Sequence, residues 1–193
     1  VFRMGKIVSS PLKSNNHKII DYASSNLRND FMDIYLAAKC TFCISASSGL
    51  DGVATTFRRP LVQIVAPLLD AKTGHKKVLI LTKHHFSKKK KRNLTLSEIA
   101  LSEIASFTAT KQFEALGIEL IENSPEEIKD IAVEAIERIE GKWENTEIDD
   151  KLQNKFWKIF YSSNYINNDR FAHGKLKARF GTKFLKANPD WLN

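Results

Sequence analysis

The stretch CTFCISASSGLDGVATTFRRPLVQIV, residues 40–65, determines the fold class of this chain. It begins with a β-branched and aromatic run, Cys40–Ser45, which predicts a buried strand. A short polar turn follows, and then a helix with apolar residues on one face, which Pro60 stops. Leu61–Val65 predicts a second buried strand. Because strands separated by a helix of this length pair in parallel, we expect an α/β fold with a Rossmann-like parallel sheet flanked by helices.

The flanking sequence extends this alternation of strands and helices in both directions. Upstream, His17–Tyr22 is a candidate for a short strand, and Asp30 is placed to cap a helix. Downstream, Val78–Thr82 and Gly117–Glu122 have the composition of further strands. We therefore expect one α/β domain over most of the chain.

Capping patterns mark the helices of the second half of the chain. Thr95 and Glu98 form a capping box for a helix that extends to Phe107. Ser124 begins a longer amphipathic helix that ends at Gly141.

The last part of the chain is expected to be helical. An amphipathic helix is predicted around residues 152–160, and aromatic residues of the tail are expected to pack back onto the domain. The predicted organisation is a Rossmann-like lobe at residues 1–145 and a helical C-terminal extension at residues 146–193.

Composition excludes several classes of protein. With 42% hydrophobic residues the chain is too apolar to be disordered, and its longest apolar stretch, Leu61–Leu69, is too short to span a bilayer. The cysteines, 2 in all, are too few for a disulfide scaffold, so we expect a reducing, cytoplasmic compartment. The opening residues Val1–Gly5 resemble the interior of a strand, from which we expect an upstream lobe to be missing.

The net charge of +8 is concentrated in residues 72–92, which hold nine Lys and Arg and no acid. We expect the densest run to be a solvated loop. The alternatives are attraction to an anionic membrane surface, at the inner membrane face, and attraction to an anionic ligand. Nucleic acid is not the expected partner, because acidic and basic segments alternate along the chain, whereas phosphate binding needs a continuous positive face. The run consists of Lys88, Lys89, Lys90, Lys91 and Arg92.

The turn between the two strands quoted first is the best candidate for binding chemistry. A helix N-terminus offers N–H groups and a positive dipole end, Ser47 and Ser48 add hydroxyls, and Gly49 permits close approach, so a phosphate or diphosphate fits there. In open α/β sheets such a turn lies at the carboxyl ends of the strands, where ligands bind. The alternative is that Ser47 or Ser48 only caps the helix. Neither of the two well-known glycine-rich nucleotide loops is present.

Other reactive side chains favour structural roles. Cys40 and Cys43 are both expected within a strand, where they pack and do not perform redox or zinc chemistry. His84 and His85 are expected to be solvated loop histidines beside lysines. We predict no metal site, and the absence of an Asp-x-Asp motif disfavours the metal-dependent nucleotide-sugar transferases.

Two acidic positions have two interpretations each. Asp33, together with Asp30, fits a capping arrangement at a helix N-terminus. Asp21, beside Tyr22, can hydrogen-bond a ribose or a base, or it can close the turn at a strand end.

Eight short segments, taken in order, carry a family resemblance that covers nearly the whole chain. They are Arg3–Gly5, Ile20–Ala23, Asp30–Leu36, Ser47–Leu50, Arg59–Pro60, Leu94–Ile99, Gly117–Ile128 and Gly181–Pro189. Their order and spacing resemble the C-terminal region of a bacterial family classed as glycosyltransferases of the GT-B type. Some members carry tetratricopeptide repeats upstream.

The resemblance implies the nucleotide-sugar binding lobe of a metal-independent glycosyltransferase that acts in cell-surface glycan synthesis, without a cofactor beyond its sugar-donor substrate. It implies that Ser47–Leu50 hold the donor diphosphate and that Arg3 faces the cleft between two lobes. Asp21 or Asp33 would position the sugar or the nucleoside, and a glycan hydroxyl would be the acceptor. No catalytic base is identified, because in this fold the base commonly comes from the N-terminal lobe, and the isolated chain is not expected to turn over.

Two other classes of function remain open at this point. The first is a Rossmann-like module that binds a nucleotide or an anion without catalysis. The second is a nucleic-acid-binding protein that acts through the lysine run, for which affinity would fall steeply with salt.

Overall fold

The structure, a computed structural model, describes residues 1–65, 75–167 and 176–193. Its strands are β1 Cys43–Ser45, β2 Leu61–Val65, β3 Val78–Thr82, β4 His84–Ser87, β5 Arg92–Asn93, β6 Ile118–Ile121 and β7 Arg179–Phe180. Its helices are α1 Asp30–Lys39, α2 Gly49–Thr56, α3 Leu96–Ala100, α4 Thr110–Ala115, α5 Pro125–Ile139, α6 Glu147–Ser162, α7 Asn164–Asn167 and α8 Thr182–Ala187. Short 3₁₀ turns occupy Tyr22–Ser24, Glu103–Ser106 and Pro189–Leu192.

The fold is Rossmann-like α/β, as predicted. A four-stranded sheet has the order β1-β2-β3-β7, and each neighbouring pair is parallel. Helix α2 connects β1 to β2, and α5 packs on β2 and β3. Every residue of β3 is buried, which is typical of a central parallel strand covered on both faces.

The first predicted strand is shorter in the structure than in the prediction. Cys40 caps the C-terminus of α1, and the strand begins only at Cys43. The prediction that both cysteines lie within a strand is therefore wrong. Farther upstream, the strand candidate His17–Tyr22 is reduced to a single parallel bridge between Phe2 and Ile20.

Helix α1 begins at Asp30, but its cap is the preceding residue. Asn29 is extended, and its side-chain oxygen accepts a hydrogen bond from the Met32 N–H at 2.9 Å. The expectation that Asp30 caps this helix is wrong, because Asp30 already has helical geometry and stands with Asp33 in the first turn.

The basic segment belongs to a second, antiparallel sheet of order β5-β4-β6. The run Lys88–Arg92, expected in a loop, forms the turn of the β4–β5 hairpin and the start of β5. His84 and His85 lie in β4, and His85 is only 2% exposed. The expectation of two solvated loop histidines is therefore wrong, because β6 pairs with β4 and the ring of Phe113 contacts His85.

The capping boxes are confirmed at both predicted positions. Thr95 with Glu98 begins α3, and Ser124 with Glu127 begins α5. The first of these helices ends at Ala100 and does not continue to Phe107, because the chain turns there into a 3₁₀ segment.

The C-terminal part is mostly helical and packs on the parallel sheet. Its aromatic side chains form one contiguous cluster of buried rings from α6, β7, α8 and the last turn. The cluster contains Phe156, Phe160, Phe180, Phe184 and Trp191. This part of the chain also contributes β7 to the sheet, which the prediction of a purely helical extension did not include.

Candidate functional site

The turn between β1 and α2 lies at the carboxyl end of β1, and side chains from two strands hold it. Ser47 has a left-handed backbone with φ of 58°, which is uncommon for a residue with a side chain. The Gln63 side-chain amide, on β2, donates to Ser47 Oγ at 3.1 Å. Ser45 Oγ donates to Asp51 Oδ2 at 2.9 Å and accepts from the Ser48 N–H at 3.3 Å. The strained turn is therefore preorganised by its own protein neighbours.

The first turn of α2 presents hydrogen-bond donors that the fold leaves unused. Ser48 occupies the N-cap position, but its hydroxyl makes no capping bond and lies instead 3.3 Å from the Ser45 hydroxyl. In the part of the chain that the structure describes, no acceptor is bonded to the backbone N–H groups of Gly49 and Leu50. Gly49 is exposed, and a Cβ atom built on it would meet no atom within 4 Å, so a side chain can be added at this end of the helix without a clash. Of the structural alternative, the position is observed, since Ser48 is the N-cap residue, but the side-chain capping bond is not formed by either serine.

Helix α1 packs beside α2 and runs in the same direction. Arg59, just beyond the C-terminal end of α2, donates from Nε to the Ala38 carbonyl near the end of α1 at 2.5 Å. Because α1 leads into β1 and α2 leads away from it, the N-termini of both helices lie at the carboxyl edge of the sheet. Asp33, in the first turn of α1, therefore shares this edge with the β1–α2 turn.

Asp33 and Arg28 form an ion pair at this edge. Arg28 Nη2 lies 2.7 Å from Asp33 Oδ2, and each side chain is about one-fifth exposed (20% and 19%). The other carboxylate oxygen, Oδ1, is buried and has no hydrogen-bond partner among the described residues. Asp33 Oδ2 is thus used by the ion pair, whereas Oδ1 lacks a hydrogen-bond donor among the described residues.

Arg3 and Asp21 form a second ion pair close to the start of α1. Arg3 Nη1 donates to the Asp21 oxygens at 3.2 and 3.3 Å, and the Leu12 N–H donates to Asp21 Oδ2 at 2.8 Å. The hydrogen bond from Leu12, together with those from its other neighbours and the charge of Arg3, lowers the pKa of Asp21 below its ordinary value. The next residue, Tyr22, accepts the Asn29 N–H at 3.2 Å through its hydroxyl, which ties this pair to the cap of α1.

The residues predicted to bind a donor thus form two groups. Ser47–Leu50 form the turn, whereas Arg3, Asp21 and Asp33 surround the start of α1. Within the described ranges, no hydrogen bond or ion pair joins one group to the other. Topology brings both groups to one edge of the sheet, and each of the three charged residues is held by a local partner.

A polar cluster that the sequence did not indicate lies at the end of β3. Asn123 donates through its side-chain amide to the Thr82 carbonyl at 2.9 Å and to Glu127 Oε2 at 3.3 Å. Glu127 Oε1 lies 2.9 Å from His84 Nε2, and the His84 ring contacts Phe184. The pairing of β4 with β6 creates this cluster. A strand prediction for residues 84–87 would have indicated it, because alternate residues of β4 are buried.

The two cysteine thiols are held in their protonated form. Burial raises the pKa of Cys43 to about 11 and also raises the pKa of Cys40, whose Sγ contacts the Ala37 carbonyl at 3.1 Å. Neither thiol is therefore poised as a nucleophile or a metal ligand. Across residues 1–65, 75–167 and 176–193, no group of three or more His, Cys, Asp and Glu side chains is placed to hold a metal ion.

No family model, curated protein or solved structure matches this chain. Among the described residues, no helix combines the length and apolar character needed to cross a bilayer.

Proposed function

We propose that this chain is the donor-binding lobe of a metal-independent glycosyltransferase of the GT-B type, which uses a nucleoside diphosphate sugar in cell-surface glycan synthesis. One observation carries the proposal: the exposed β1–α2 turn, at the carboxyl edge of a parallel sheet, begins a helix whose Gly49 and Leu50 N–H groups have no acceptor among the described residues. The family resemblance of the sequence supports the same assignment.

The diphosphate would bind at the first turn of α2. The N–H groups of Gly49 and Leu50 are available to its oxygens, and the hydroxyls of Ser47 and Ser48 lie on the same exposed turn. The positive end of the helix dipole adds to the attraction. Asp51 opposes an anion through its charge, but its carboxylate accepts the Ser45 hydroxyl and does not occupy the free N–H groups.

The remainder of the donor would extend toward the start of α1. Asp33 has one carboxylate oxygen, Oδ1, that is buried without a hydrogen-bond partner among the described residues. A sugar or ribose hydroxyl would match this acceptor once a small shift of the side chain uncovers it. Asp21 lies near the same helix end with a lowered pKa, so it is ionised at neutral pH. Arg3 holds Asp21 in place and contributes positive charge to this side of the edge.

The reaction would transfer a glycosyl group from the diphosphate to an acceptor hydroxyl. The bond between the anomeric carbon and the diphosphate oxygen breaks, a new bond to the acceptor oxygen forms, and a base takes the acceptor proton. The N–H groups at the start of α2 would stabilise the charge that grows on the leaving diphosphate. We assign no base to this chain.

The proposal is tested by thermal unfolding with uridine, guanosine, cytidine and adenosine diphosphates and their sugars. A ligand at a hundred times its dissociation constant stabilises the folded state by about 2.7 kcal/mol, which gives a readily measured shift. We expect one base to be preferred, and a nucleoside diphosphate to stabilise more than the matching monophosphate.

Variants at the two ends of α2 make the test specific. Gly49→Glu places a carboxylate where the diphosphate would bind, at an open position where an acid also suits the helix dipole. Thr55→Glu adds the same charge on the exposed surface near the other end of the helix. We expect the first variant to abolish the ligand shift and the second to retain it. Equal shifts in both variants, or no selectivity among the bases, would contradict the proposed donor site.

Asp51→Asn provides a gain-of-binding test. Removal of this negative charge from the first turn of α2 should tighten diphosphate binding, while the amide oxygen still accepts the Ser45 hydroxyl. Unchanged or weaker binding in this variant would place the anion elsewhere.

A further inference from the structure

The β4–β5 hairpin presents an exposed basic tip with a defined backbone. Residues 88–93 are all exposed, and the turn is held by backbone bonds from Lys91 N–H to the Ser87 carbonyl at 2.8 Å and from Lys88 N–H to the Gly117 carbonyl at 2.9 Å. Ser87 Oγ also accepts the Lys90 N–H at 3.2 Å. Lys91 itself has a left-handed backbone with φ of 55°. The tip is therefore a defined structure and not a loose chain of lysines.

Two carboxylates at the base of the hairpin orient part of this charge. Glu98, in the first turn of α3, pairs with Arg92 at 2.7 Å and with Lys90 at 2.5 Å. Glu119 on β6 lies 3.9 Å from Lys88.

The positive charge that remains is concentrated at the tip. Lys89 and Lys91 make no ion pair with any residue in the described ranges. The hairpin, from Lys88 to Arg92, thus carries five positive charges against the two carboxylates that contact it.

Two exposed leucines lie in the segments that contact the base of this hairpin. Leu116, which precedes the Gly117 carbonyl bonded to Lys88, is 46% exposed. Leu101, one helical turn beyond Glu98, is 56% exposed. Basic side chains beside exposed aliphatic ones match the boundary between lipid headgroups and acyl chains.

We propose that the tip of the β4–β5 hairpin, Lys88–Arg92, docks this protein on an anionic membrane surface. The tip is a compact point of charge, bordered by Glu98 and Glu119, and it does not form the continuous positive track that a nucleic acid backbone follows. Residues 88–93 also contain no aromatic side chain on which a base could stack. Both features favour a planar, anionic lipid surface, which needs only local charge and a shallow apolar contact.

The proposal is tested by co-sedimentation of the chain with two kinds of vesicle, phosphatidylcholine alone and phosphatidylcholine mixed with phosphatidylglycerol. We expect binding to the anionic vesicles only, and a decrease as salt is raised. In the variant Lys89→Gln/Lys91→Asn, the loss of two charges should weaken partitioning about 30-fold. Asn is chosen at position 91 because it tolerates the left-handed backbone.

A matched control and a third variant separate the contributions. Lys129→Gln/Lys158→Gln removes two exposed lysines from helices α5 and α6, without any described ion pair, and should bind vesicles like the unchanged chain. Leu116→Ser should weaken the binding that remains at high salt, since that part arises from apolar contact.

Three results would overturn the proposal. The first is an equal loss of binding in the control variant, which would indicate nonspecific attraction by net charge. The second is competition by soluble glycerol phosphate at the phosphate concentration of the vesicles, which would indicate a site for free phosphate. The third is tighter binding to duplex DNA than to anionic vesicles at equal phosphate and salt, which would make nucleic acid the partner.

Discussion

Replacement of Glu134 by alanine should be one of the most damaging single substitutions in this protein. Glu134 lies on α5, is completely buried, and receives four hydrogen bonds. Arg138 donates to Oε1 from Nε and Nη2 at 2.9 and 2.8 Å, and Thr182 donates from its N–H at 2.8 Å and from its hydroxyl at 2.9 Å. The carboxylate thus joins α5 to the start of α8, directly after β7.

The magnitude follows from the groups that the substitution leaves behind. Removal of one member of a buried ion pair typically costs about 3–5 kcal/mol. Arg138 is 21% exposed, bonds Asn145, and lies over the Trp143 ring, so its charge retains some compensation. The buried N–H and hydroxyl of Thr182 lose their acceptor. A buried polar group without a partner typically costs about 1–3 kcal/mol of stability. We therefore expect Glu134→Ala to lower the free energy of unfolding by about 3–4 kcal/mol.

Urea unfolding of four variants tests this reasoning. Glu114→Ala, on the exposed surface of α4, is the control and should change stability by less than about 0.5 kcal/mol. Arg138→Ala should also destabilise, and the double variant Glu134→Ala/Arg138→Ala should lose about 1–3 kcal/mol less than the sum of the two single variants. A loss below about 1 kcal/mol for Glu134→Ala, or strict additivity of the pair, would refute the role assigned to this carboxylate.

Three further outcomes are expected. Gly52→Ala should raise the free energy of unfolding by about 0.5–1 kcal/mol in urea titrations, because Gly52 is exposed inside α2 and a Cβ there meets no atom; a loss of stability would contradict this. Hydrogen bonds from Arg92, and to a smaller extent from Lys90 and the Thr95 N–H, hold the pKa of Glu98 well below its usual 4.5. The stability that this carboxylate contributes is therefore present above pH 4.5 and is lost as the pH falls below that value. Glu98→Gln should flatten the acid side of the stability curve in circular dichroism, and an unchanged curve would argue against the pairing. Cys43, with a pKa of about 11, should resist iodoacetamide at pH 8 until the chain is unfolded, whereas rapid labelling of the folded protein would exclude the buried thiol.

Elements with a strong local pattern were predictable from the chain alone. The apolar runs of β2 and β3 had few alternatives to a buried strand, and the capping boxes at Thr95 and Ser124 mark helix starts through bonds within four residues. The β1–α2 turn was identified for the same reason, since polar residues between a strand and a helix form a local unit. Local sequence could not predict whether the hydroxyls of this turn cap the helix, because Ser45 and Gln63, on two different strands, bond to the turn.

Features that depend on distant partners were mispredicted or not predicted at all. His84 and His85 stand in a lysine-rich sequence that predicts a solvated loop, yet β6 covers them from more than thirty residues away along the chain. The strand β7 has two residues, too few for any local signal, and it exists because the edge of β3 supplies its hydrogen bonds. The acid Glu134 occupies a helix position that is completely buried, because α8 presents its own N–H and hydroxyl there.

Local chemistry along the chain was therefore sufficient for the fold class, for the capped helix starts at Thr95 and Ser124, and for the position of the candidate phosphate turn. Tertiary structure alone decided that α1 and α2 bring their N-termini to one edge and that the lysine run is the tip of a hairpin. It also decided that Arg3 pairs with Asp21 and Asp33 with Arg28. The physical reason is the range of the interactions involved. Periodicity, capping and turn geometry act within a few residues, whereas ion pairs and sheet pairing depend on which distant segments the packed core brings together.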